Sequence, residues 1–139
     1  MNTYTAARSR YIDDAVSTAS PATLLLMMYD RLLRDLERAE SALRAGQRDQ
    51  ANTQLTHAQR IVAELASTLD GSAWEGATRL LSLYTFLTTT LIEANVAGDP
   101  ERVAACRGLV EPLHEAWRAA AAQVAESAPA RALGELGVG

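Results

Sequence analysis

Four stretches of the chain place apolar residues at alternating steps of three and four, the spacing that gathers them on one side of an α-helix. In the first stretch the stripe is Leu25, Tyr29, Leu32, Leu36, Ala39 and Leu43. Ser20 supplies an N-cap hydroxyl, Pro21 suits the first helical position and Gly46 marks a stop, so a helix is predicted from Pro21 to about Arg44. Its opening run, Leu24 to Tyr29, is apolar all the way round and must be covered on more than one face. Ala51, Leu55, Ala58, Val62, Leu65 and Leu69 repeat the stripe from about Arg48 to Leu69, widened by Ile61 and closed by Asp70-Gly71.

The third stretch, from near Ser72 to Ala97, carries Leu80, Tyr84, Leu87, Leu91 and Ala94 on one seam, with Leu83, Phe86 and Ile92 outside it. Two apolar seams on one helix require two neighbours, or one neighbour and an exposed groove. Asp99-Pro100-Glu101 opens the fourth helix, whose stripe is Val103, Cys106, Val110, Leu113, Trp117, Ala120 and Val124. Pro112 interrupts this stripe without shifting its register, which predicts a kink between Gly108 and Pro112 rather than a break. After about Glu126 the chain turns Ala-, Gly- and Pro-rich, and residues 127–139 are expected to form a disordered C-terminal tail. Residues 1–19 show no sustained periodicity, yet Tyr4, Tyr11, Ile12 and Val16 leave two readings open: plain disorder, or a partial turn lying against the helices.

Four helices of about 22–26 residues joined by short turns predict an all-α fold, an antiparallel up-down four-helix bundle. At 139 residues and 48% hydrophobic composition the chain is expected to be a single domain: a mobile N-terminal segment 1–19, a bundle over 20–126, and the tail. The net charge of −4, with every basic residue an arginine dispersed among acids, gives no continuous positive footprint and argues against nucleic acid and anionic membrane as partners. The longest apolar run falls far short of the ~20 residues that span a bilayer, so the chain reads as cytoplasmic.

Candidate chemistry changes this picture little. A di-iron centre in a bundle requires two Glu-x-x-His pairs and two more glutamates; Glu111-Pro112-Leu113-His114 supplies one pair, and His57 lies in Gln54-x-x-His57. No metal site, cofactor or catalytic group is assigned, since there is also no phosphate loop, CxxC, HExxH or nucleophile elbow. Cys106, the single cysteine, falls on an apolar helix position and reads as a buried thiol. His57 on the second helix, followed three residues later by Arg60, has half the layout of a histidine phosphotransfer bundle, but bulky Ile61 stands at the next position, where such modules keep a small residue. That signalling role is the alternative reading.

The surplus of apolar residues points to binding. Met27, Met28, Leu33, Ile61, Leu83, Phe86 and Ile92 lie beside the main seams. They either broaden the core, support a homodimer, or line grooves that accept amphipathic helices of a partner.

Several separated pieces, in order, resemble the flagellar export chaperone family FliS. Tyr11 with Val16-Ser17-Thr18-Ala19-Ser20-Pro21 is similar to the family's entry segment, and Leu24 to Asp30 to its Leu-Ile-x-Met-Leu-Tyr-Asp stretch. Ala58-x-x-Ile61-Val62-x-Glu64-Leu65, Leu80-x-x-Leu83-Tyr84-x-Phe86, Leu91-x-x-Ala94-Asn95 and Leu113-x-x-x-Trp117 resemble the helices that follow. Arg31, Arg79 and His114 depart from the family pattern, which usually has Gly, Asn and Arg there. The resemblance implies binding without catalysis: the C-terminal segment of flagellin, disordered before assembly, folds into apolar grooves of the bundle, is kept from premature polymerisation and is delivered to the flagellar type III export gate. It implies further that Tyr11 and Ile12 form a mobile cover, and that Tyr29, Ile61, Leu65, Leu83, Tyr84, Leu87 and Asn95 sit in or under the groove.

Overall fold

In the computed structural model, residues 6–7, 20–69 and 74–137 are described, with side chains as far as residue 126. The main elements are four helices: α1 (Pro21–Arg44), α2 (Arg48–Ser67), α3 (Gly76–Ala97) and α4 (Pro100–Gly137). α1 begins where the cap chemistry places it, the Thr23 N–H donating to Ser20 Oγ at 3.2 Å with Pro21 in the first turn. α2 ends two residues earlier than the stripe suggests, and α3 starts after a turn at Trp74-Glu75 rather than near Ser72.

α1 packs along α2 and α4, and α3 along the same two, more sparsely, so that α1 and α3 stand diagonally across an up-down bundle. The buried stripe residues are those of the periodicity: Leu32, Leu36, Leu55, Val62, Leu87, Leu91, Val103 and Val110 are all essentially inaccessible. Burying such side chains is worth roughly 1.5–3 kcal/mol each before the entropy of ordering them is subtracted.

The turns are built from glycine and charge. Gly98 takes φ +65° as the left-handed stop of α3, and Asp99 Oδ1 then accepts from the Glu101 N–H at 3.0 Å to cap α4. Arg48 reaches over from α2 to donate to the carbonyls of Asn95 and Val96 at 2.9 and 3.2 Å, filling two of the acceptors that a helix C-terminus leaves open. A Cβ on Gly98 would lie 2.4 Å from the Arg48 guanidinium. Gly98→Ala is therefore expected to lower stability by about 1–2 kcal/mol, from left-handed strain and a displaced Arg48, read as a reduced thermal midpoint.

α4 departs from the sequence reading at its end. The backbone stays helical through Gly108 and Pro112, both on the exposed side, as a helix unbroken at the proline requires, and continues to Gly137 instead of ending near Glu126. The extension follows from alanines at 119–122, 125, 128, 130 and 132, the best intrinsic helix formers, which outweigh the single bond lost at Pro129.

Candidate interaction surface

The described residues expected in or under a groove separate into four places. Tyr29, Leu65, Tyr84 and Leu87 are core, none more than 2% exposed. Tyr29 from α1 and Tyr84 from α3 meet across the bundle diagonal, hydroxyl to hydroxyl at 2.6 Å. One hydroxyl donates to the other, and burial, followed by the bond to Tyr29, pushes the Tyr84 hydroxyl above the ordinary phenol range. Replacing either with phenylalanine strands the remaining hydroxyl and is expected to cost about 1–2 kcal/mol, while the double replacement costs much less than the sum. Urea denaturation of the three variants checks this.

Leu83 is half-buried on the side of α3 that faces α4, beside Leu80, Leu113 and Trp117, in a cavity of about 250 Å³. A second cavity of about 320 Å³ adjoins it, lined by Leu25, Leu69, Leu80, Tyr84 and both tryptophans, Trp74 and Trp117. Ile61 lies elsewhere. It follows by one helical turn His57, whose Nδ1 pairs with Asp35 of α1, so it faces the α1 side of α2. Asn95 is at the opposite end of α3, donating to Asn52 Oδ1 at 2.7 Å. Tyr11 and Ile12 fall outside the described residues.

The surplus apolar positions divide likewise. Met28, Leu33, Ile61 and Leu83 are half-buried against the core and broaden it, whereas Phe86 and Ile92 are about half exposed at 54% and 46%. With Leu81 and Val96, also exposed, they share the outer side of α3 with exposed Thr78, Ser82, Thr85 and Thr89. No charged residue occurs between Arg79 and Glu93. By length and composition α3 could cross a membrane, yet one face of it, from Ala77 to Ala94, is built into the bundle core. A helix with one face packed and an uncharged, partly apolar face open to solvent is a candidate docking surface.

The α1–α4 seam has the opposite character. Arg107 of α4 bonds Glu40 at 2.9 Å, Arg44 bridges Glu40 and Glu101 at 3.1 and 3.0 Å, and His114 Nε2 lies 2.6 Å from Asp30. Burial works to raise the Glu40 carboxyl, but Arg107 and Arg44 prevail and hold it below the usual carboxylate range. Both histidines of the chain are thus paired with aspartates on α1. His57, the candidate for phosphotransfer, has Nδ1 committed to a carboxylate that is fully buried and also bonded by Arg31 Nε at 3.0 Å. Among the described residues no group of three His, Cys, Asp or Glu is placed to hold a metal ion. Cys106 is fully buried, which pushes its thiol up to about 11 and leaves it neutral at ordinary pH.

Reading the sequence missed Trp74 and Asp35. Trp74 stands alone between Gly71 and Gly76, and Asp35 occupies a position next to the α1 stripe where an apolar residue would be expected. An aromatic flanked by glycines and a carboxylate inside a core register were the available signals.

A model of the flagellar protein FliS family matches residues 3–124. The chain belongs to the FliS family. Its relatives include the flagellar secretion chaperone FliS of Bacillus subtilis, 31% identical over 119 residues that cover 86% of each chain. The Salmonella typhimurium protein of the same name is 31% identical over 77% of this chain and 81% of its own. Among solved structures, a bacterial flagellar chaperone superposes with a TM-score of 0.69 at 19% identity, covering 86% of this chain and 98% of that one, and shares the fold. In this FliS-family chain the uncharged outer face of α3 and the two adjoining cavities form the candidate interaction surface.

Proposed function

We propose that the chain is a cytoplasmic flagellar export chaperone that binds the C-terminal segment of flagellin, masks it against premature polymerisation and presents the subunit to the flagellar type III export gate. The observation that carries this reading is α3, charge-free from Leu80 to Ile92 with Leu81, Phe86 and Ile92 open to solvent. The relatives' name, flagellar secretion chaperone, supports it. A segment that is disordered before binding gives up entropy on folding, and a long uncharged face with exposed Leu81, Phe86 and Ile92 and apolar cavities at its edge offers burial to offset that loss. Nothing in this role requires catalysis.

Within this reading the core residues Tyr29, Leu65, Tyr84 and Leu87 set the shape of the surface from below. Leu83 is in contact with the partner, and Ile61 and Asn95 are met only if the segment wraps onto other faces. α1 starts at Pro21, four residues before Leu25 in the cavity wall. Tyr11 and Ile12 are positioned along the chain to act as its displaceable cover.

The test is calorimetry of the full chain with a synthetic peptide of the flagellin C-terminal segment from the same organism, with circular dichroism of the mixture. Sub-micromolar binding, a negative heat-capacity change and gained helicity are expected. Absence of binding overturns the proposal.

A further inference from the structure

The two tryptophans of the chain meet at the α3–α4 edge. Trp117 from α4 forms a wall of both cavities, and its Nε1–H is fully buried with no hydrogen-bond partner among the described residues. An indole N–H can only donate, so what it lacks is an acceptor. Buried donors are almost always satisfied, so one left open in a largely apolar wall, whose polar members are Thr68, Arg79 and Tyr84, calls for an acceptor.

Trp74 also lines both cavities. Its ring lies directly on the bare backbone of Gly76, where a Cβ would come within 1.8 Å of it, and half of the residue is exposed to solvent. The ring borders both cavities, whose other walls include Leu25, Leu69, Leu80, Leu83 and Leu113, so that together they form one largely apolar trough.

Resting on the chaperone reading, we propose that Trp117 is a specificity-determining anchor. A partner segment displaces the Trp74 ring, seats a branched apolar or aromatic side chain in the trough, and places a backbone carbonyl oxygen to accept from Trp117 Nε1–H. The occupant is thereby defined chemically: an apolar anchor residue with an unpaired carbonyl beside it, as at the end or the first bend of a helix that forms on binding.

The experiment follows the two indole N–H signals of the full-length chain by NMR during titration with the flagellin C-terminal peptide, Trp74→Phe supplying the assignment. In the free chain the Trp117 signal is expected at the position of an unbonded indole; at saturation it moves downfield and its exchange with solvent slows. Trp117→Phe, which keeps the ring plane and removes the donor, is expected to weaken binding about five- to tenfold with unchanged helicity. Trp74→Ala is expected to bind no more weakly than the parent. A Trp117 signal unmoved in the saturated complex, or already bonded in the free chain, overturns the inference even where the peptide binds tightly. So does Trp117→Phe binding with parental affinity. Failure of the parent chain to bind the peptide removes the chaperone reading itself, and this inference with it.

Discussion

Leucine in place of His57 is expected to lower folding stability by about 3 kcal/mol, a drop of about 10 °C in thermal midpoint. The effect comes through Asp35, not through any exposed function of the imidazole. The Asp35 side chain is fully buried and its two oxygens are shared between His57 Nδ1 from α2 and Arg31 Nε from its own helix. Removing the imidazole leaves one carboxylate oxygen inside the bundle with neither water nor donor, and Arg31, nearly half exposed, cannot fill both positions. Replacing Asp35 and His57 together by leucine is expected to recover most of the loss, since a packed apolar pair replaces a half-broken polar one. Urea denaturation of the single and double variants measures both values.

Glutamate in place of Leu83 is expected to weaken binding of the flagellin C-terminal peptide at least about a hundredfold, and bound helix should vanish with it. Leu83 is half-buried beside Leu80, Leu113 and Trp117, so a carboxylate there meets an apolar trough on one side and the partner on the other. The bundle is expected to survive. Arg79 is exposed one turn earlier on the same helix, and the new carboxylate can swing toward it in the free protein. That escape is closed once a partner covers the trough. Leu83→Ala, which removes contact without adding charge, should lose only about tenfold. Calorimetry gives the affinities and circular dichroism the helicity; a glutamate variant that binds as well as the parent would place the interface away from this edge.

Helix order and the core stripe were legible in the sequence because each rests on a local rule. The Ser20-Pro21 start, the glycine stop at 46 and the Asp99 cap are chemistry within a few residues of chain. The stripes from Leu25 to Leu43 and from Val103 to Val110 repeat at the helical period, and that period alone assigns them to a core. Where local rules compete, the reading stopped short: alanine propensity carried α4 beyond Glu126 although glycine and proline in the same stretch suggested an end.

The candidate site was legible only in part. The sequence shows that α3 has two apolar seams and that Leu83 and Phe86 lie off the main one, which is enough to expect an apolar surface. It does not show that Ile61 faces α1 while Leu83 faces α4, because that depends on which helices are neighbours and which are diagonal. Nor does it show that Tyr29 and Tyr84 share a hydrogen bond across 55 residues of chain, that Asp35 is the buried partner of His57, or that Trp74 rests on Gly76 beside an unpartnered Trp117 Nε1. By itself, then, the sequence determined the helices, their caps and the faces they bury, all matters of spacing along one chain. Tertiary packing decided which surplus apolar residues broaden the core and which face outward, and which polar groups meet, because those outcomes depend on distances between elements far apart in the sequence.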